Sequence, residues 1–130
     1  MKIIPYAAAL AAAATLTASL FASAAMAEPA NKWRIEFDNK AQNTGSVVFR
    51  ISPVGMSPLD VETKIPADIH ENHIAALVRD SMKASLGKSY GVEIDDGEDV
   101  LIKKQGTSPD FELTLVSSTV KGLDIELERE

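Results

Sequence analysis

The chain has no cysteine in 130 residues. That excludes disulfides, thiolate catalysis, cysteine zinc sites and iron–sulfur clusters. Aromatic residues are scarce, with one Trp, two Tyr and four Phe, so the stacked platforms of a sugar cleft are not provided for. Histidine occurs twice, at His70 and His73. The seven glycines stand singly at turn positions, and none builds a phosphate-cradling loop. There is no Gly-x-Ser-x-Gly elbow for a nucleophilic serine. Basic charge is also short: 13 Lys and Arg stand against 19 Asp and Glu. A net acidic chain is not built for nucleic acid or an anionic membrane surface.

What is present divides in two. Residues 1–27 hold one charge, Lys2, followed by an apolar stretch from Ile3 to Ala14 and a small-residue tail ending Ala25-Met26-Ala27. Small side chains at the last and third-last positions fit a signal peptidase, so the segment reads as a secretory leader cut between Ala27 and Glu28. Twelve of its residues are Ala, which argues against a retained membrane anchor. The expected location is therefore the periplasm or beyond, with no stable membrane insertion after cleavage. Residues 28–31 read as a disordered lead. The remainder, 32–130, is one domain, and from Glu28 onward the net charge is −7.

Alternation of period two marks strands at Trp33–Phe37, Val47–Ile51, Leu59–Ile65, Tyr90–Ile94, Glu98–Lys104, Phe111–Leu115 and Leu123–Leu127. After Pro66, Asp68 and Glu71 have the spacing of a capping box, predicting a helix from about Ile69 to Leu86 that stops at Gly87. Its apolar stripe is Ile74, Leu77, Val78, Ser81, Met82 and Ser85. For the Asp-Gly hairpin, a three-residue Asp95-Asp96-Gly97 loop puts the apolar groups on one face, pairing Val92 with Val100 and Tyr90 with Ile102. The expected fold is α+β: a single helix packed on one face of a mostly antiparallel twisted sheet, in the order β-β-β-α-β-β-β-β. Arg34, Glu36, Glu62, Lys64, Glu93, Lys103, Glu112, Asp124 and Glu126 belong to the opposite, wet face.

Three features carry candidate chemistry. The loop Pro53–Pro58 places apolar Val54 and Met56 on a segment that must lie at the surface, the pattern of a partner contact. Glu93, Asp95, Asp96, Glu98 and Asp99 crowd five carboxylates around Gly97. That set offers oxygen ligands to Ca²⁺ without the EF-hand spacing, and it also reads as a solvated hairpin tip. His70 and His73, three apart on the first helical turn, can share a Zn²⁺, but two ligands fall short of a catalytic zinc site.

The helix followed by Tyr90-Gly91-Val92-Glu93-Ile94-Asp95-Asp96-Gly97 resembles the helix-to-strand step of PepSY-type domains, exported modules associated with peptidase inhibition. The strand–strand–helix–strand–strand order also resembles small modules of phage tail and surface proteins. Neither resemblance supplies site residues. The functional expectation is an exported, non-enzymatic binding module whose partner is another envelope protein, reached through a sheet edge or the Val54/Met56 loop. A divalent-ion binding envelope protein is the alternative, and a peptidase-inhibitor-like module stands behind it.

Overall fold

A computed structural model describes residues 28–130; the expected leader, 1–27, lies outside the described residues. Seven strands and one helix follow in the expected order: β1 Lys32–Asp38, β2 Gly45–Pro53, β3 Leu59–Ile65, α1 Glu71–Leu86, β4 Tyr90–Asp95, β5 Asp99–Lys104, β6 Phe111–Ser118 and β7 Asp124–Arg129. The fold is α+β and every strand pairing is antiparallel.

The strands form two sheets, β4-β5-β1-β7 and β3-β2-β6, where the sequence suggested one. Their junction lies at Phe111. Its carbonyl accepts both the Ala30 N–H at 2.9 Å and the buried Trp33 Nε1–H at 2.8 Å, and its own N–H donates to Ala30 at 2.9 Å. The lead over 28–31 is therefore pinned, contrary to the disorder expected of it. Asn31 also accepts from the Lys104 N–H, and Glu28 reaches Arg129. Backbone partners supplied from distant strands decide this, and four residues of sequence cannot announce them.

Alternation placed most of the core correctly, Leu59 at the start of β3 and Leu115 in β6 being exposed. Trp33, Ile35 and Phe37 of β1, Val47, Phe49 and Ile51 of β2, Val61 and Ile65 of β3, and Val100 and Ile102 of β5 are buried together. Phe37 and Phe49 meet edge to face across the two sheets, with ring centroids 6.4 Å apart. The helix contributes Ile74, Ala75, Val78 and Met82 and lies against β3, β4, β5 and β1. Its buried stripe is narrower than expected: Ala75 joins it, while Ser85 is exposed. Thr63, inward on β3 as its parity demands, is buried with an Oγ1 that has no hydrogen-bond partner among the described residues.

Two local expectations need correction. The capping box does not form. Asp68 takes a left-handed conformation, φ 69°, and its N–H donates to Ala41 at 2.8 Å. The N-cap is His70, without a side-chain cap, and the helix starts at Glu71. The tie between Ala41 and the segment before the helix outweighs one capping hydrogen bond. The β4–β5 loop does have three residues, but they are Asp96-Gly97-Glu98. Asp95 faces Asp99, Ile94 faces Val100 and Val92 faces Ile102. This register keeps the parity that unites the apolar face, with Asp96 and Gly97 both at positive φ.

The far end is closed by the 39–45 connection. Gln42 and Asn43 bind the 119–122 turn through Gln42 N–H to Lys121 O at 2.9 Å, Lys121 N–H to Asn43 Oδ1 at 2.6 Å and Asn43 Nδ2–H to Thr119 O at 3.0 Å. A Cβ at Gly45 would lie 2.7 Å from Thr119 Oγ1 and 2.9 Å from its carbonyl oxygen, so this approach requires glycine.

Candidate functional site

The Pro53–Pro58 segment is a tight turn between β2 and β3. The Met56 N–H donates to Pro53 O at 3.1 Å, and Gly55 supplies φ 78°, the left-handed geometry a type II turn needs at its third residue. The Val54 N–H donates to Asp110 O at 3.0 Å, which fixes the turn to the strand-entry loop of β6. On this held backbone the side chains of Val54 and Met56 stand in water, 54% and 63% exposed, and Leu59 at the start of β3 is 42% exposed. Leu59 shares the alternation of Val61 and Ile65 and was expected to face the core; it lies beyond the reach of the core at the strand's end.

Beside the turn runs an apolar groove of about 220 Å³. Ile51, Met56 and Leu59 line one side, and Leu86, Tyr90 and Pro109 line the other. Met56 and Leu59 are thus groove walls, while Val54 projects past it. Burial pushes the Tyr90 hydroxyl above its ordinary value, and its ring sits edge-on to Phe111 with centroids 5.0 Å apart. The parts come from β2, β3, the end of α1, β4 and the 106–110 turn, so sequence could show Val54 and Met56 but not the surface they join.

The five hairpin acids are arranged differently from a cation cage. Arg34, central in β1, reaches Asp99 at 2.7 Å, Asp95 at 2.9 Å and Glu130 at 3.3 Å, with Asp96 at 4.0 Å. Asp95 and Asp99 are therefore engaged by a guanidinium held on the face of the sheet. Those three carboxylates push the Arg34 guanidinium further above its ordinary range, Glu130 most and then Asp99 and Asp95. Glu93 lies exposed beyond them on β4. Glu98 faces a separate cleft of about 430 Å³ shared with Glu36, Asp38, Asp99, Asp124 and Glu126. Burial first, then repulsion from Glu71 and the nearby aspartates, raises the Glu98 carboxyl above its usual range.

Among the described residues, the three carboxylates that converge are Glu36, Glu126 and Glu128, with oxygens all within 4.8 Å of one another. Glu36 faces Glu126 across the β1–β7 ladder. A hydrogen bond with Glu128, desolvation and the surrounding acids all raise the Glu36 carboxyl. Period two places Glu36, Glu126 and Glu128 on outward faces, but only the pairing of β1 with β7 brings them together. His70 and His73 are both exposed at the start of α1. Neither belongs to a three-ligand group among the described residues.

Leu101 is the apolar exception on this charged face. It lies across the ladder from Arg34 on one side and Glu93 on the other, yet it is only 6% exposed. Long charged side chains cover apolar neighbours with their stems, and Arg34 is placed to do so.

No helix among the described residues is long and apolar enough to cross a membrane. Compared with protein-family models and with curated proteins, the chain matches none.

Proposed function

We propose that this protein is a small exported, non-enzymatic binding module that contacts another envelope protein through the β2–β3 turn. One observation carries the reading: Val54, Met56 and Leu59 hold apolar side chains in water on a hydrogen-bonded turn, beside a groove walled by Leu86, Tyr90 and Pro109. Single exposed apolar residues are ordinary, whereas a contiguous set beside a concave apolar surface marks a contact site. A turn fixed before binding lowers the ordering cost of association, and the adaptable Met56 suits a wall that must fit a partner side chain. The leader pattern of Lys2, Ile3–Ala14 and Ala25-Met26-Ala27 supports export. The test is affinity capture of the tagged mature chain from its own periplasm. One specific envelope protein is recovered, and Met56→Asp loses it while melting unchanged. Equal recovery by both forms contradicts the reading, and a recovered peptidase directs the same surface toward inhibition.

A second reading, divalent-ion binding, is favoured by the Glu36, Glu126 and Glu128 convergence rather than by the hairpin. Calcium accepts several carboxylate oxygens and would relieve their mutual repulsion. Under this reading, millimolar Ca²⁺ raises the melting temperature above that in Na⁺ at equal ionic strength, and Glu126→Gln removes the rise. No rise in the wild type contradicts it.

A further inference from the structure

Among the described residues, strand β6 is an outer strand of its sheet, and it differs from the other edges. β3 carries Asp60, Glu62 and Lys64, β4 carries Glu93 and Asp95, and β7 carries Asp124, Glu126, Glu128 and Arg129. Charges on an edge discourage pairing with another chain. From Leu113 to Val120, β6 and its exit have no ionisable side chain. This stretch exposes Leu115 at 37% and Val116 at 44%, the two large exposed apolar side chains that lie apart from the Val54, Met56 and Leu59 surface among the described residues. The outer side of β6 already takes a single antiparallel bridge at its beginning, where Ala30 and Phe111 exchange two 2.9 Å hydrogen bonds.

From these observations we propose that the free edge of β6 pairs antiparallel with β6 of a second copy of this chain, joining two three-stranded sheets into one of six strands. Charge selects this occupant. The domain is strongly acidic, so two copies repel over most of their surfaces, and the neutral stretch is where they can approach. An acid, Glu112, lies at one end of that stretch and a base, Lys121, just past the other. Antiparallel pairing sets Glu112 of each copy toward Lys121 of the other, whereas parallel pairing sets like beside like. An antiparallel pair of identical strands is two-fold symmetric and closes as a dimer. The register shift opposite Val48 and Phe49 leaves Val116 as an extra residue. Such a bulge bends the strand and confines the ladder to a few residues around it, so the dimer is weak and concentration-dependent. The proposal does not involve the β2–β3 turn.

Sedimentation velocity over a concentration series tests it on the chain from Glu28 onward, which contains the core formed by the described residues. The wild type shifts from monomer to dimer as concentration rises. Val116→Lys stays monomeric at every concentration, with an unchanged melting curve in dilute solution. Lys121→Glu weakens the dimer at least tenfold, and adding Glu112→Lys restores it. Met56→Asp dimerises like the wild type. A monomeric wild type at all concentrations overturns the proposal. So does a dimer that survives Val116→Lys or ignores the charge exchange.

Discussion

Arg34 Nη1 lies 2.7 Å from Asp99 Oδ2, and both side chains are mostly buried on the outer face of the four-stranded sheet, 16% and 14% exposed. This one guanidinium joins β1, the β4–β5 hairpin and the last residue, Glu130. It supplies the counter-charge for three carboxylates on this face. Replacing it with an isosteric apolar residue leaves Asp95, Asp99 and Glu130 facing one another without a counter-charge. Arg34→Met is therefore expected to cost about 1–2 kcal/mol at low salt. The loss shrinks as salt screens the remaining acids. Denaturant melts in 20 mM and 500 mM NaCl measure it, conditions whose Debye lengths differ about fivefold, roughly 20 Å against 4 Å. A loss independent of salt would point to packing over Leu101 instead.

Glu36 gives a prediction of opposite sign. Its carboxyl is raised above the ordinary glutamate value of 4.5 by Glu128 and the acids around it. Protonation therefore favours the folded chain. That contribution is complete below 4.5 and is lost as pH rises through the raised value. Glu36→Gln, which removes the charge at any pH, should melt above the wild type at pH 7. The two curves should converge near pH 4. A lower melting temperature at pH 7 would show that Glu36 is engaged by an attractive partner.

Thr63 wastes its hydroxyl. The residue is 4% exposed and its Oγ1 has no hydrogen-bond partner among the described residues, so the group is desolvated without compensation. Thr63→Val keeps the shape of the side chain and should add about 1 kcal/mol of stability, measured by chemical denaturation. A loss would mean that a water or a rotated hydroxyl satisfies the oxygen in solution.

Gly45 is required by proximity rather than by its dihedral angles. A Cβ there meets the Thr119 hydroxyl and also its backbone carbonyl, and the second obstacle cannot rotate away. Gly45→Ala should destabilise by about 1–3 kcal/mol. Removing the neighbouring hydroxyl with Thr119→Ala should not rescue it. Full rescue would locate the clash in the side chain alone.

Much of the fold was legible because a period of two is hard to imitate. Trp33, Ile35, Phe37, Val47, Phe49 and Ile51 announce their own faces, and Gly87 announces the helix end. Partner choice was not legible, since alternation says which way a side chain points and nothing about which strand lies beside it. The division into two sheets, the Phe111 junction and the pinning of Ala30 all depend on pairings over many tens of residues. The same limit governs the sites. Val54 and Met56 are conspicuous as apolar residues in a Pro- and Gly-bounded loop, whereas Leu86, Tyr90 and Pro109 become groove walls only through tertiary packing. The five hairpin acids looked like a cluster because they are close in sequence. In space two of them turn to Arg34, and a different trio converges across β1 and β7.

If the β2–β3 turn is the contact surface, site-specific photocrosslinking from position 56 in the producing cell captures the partner. One discrete adduct is expected from position 56, absent when the same crosslinker replaces Glu62, which is exposed on neighbouring β3. Leu59→Asp, on the groove wall, should abolish the adduct without altering the melt of the isolated domain. No adduct from position 56, or equal adducts from 56 and 62, would contradict that role for the turn.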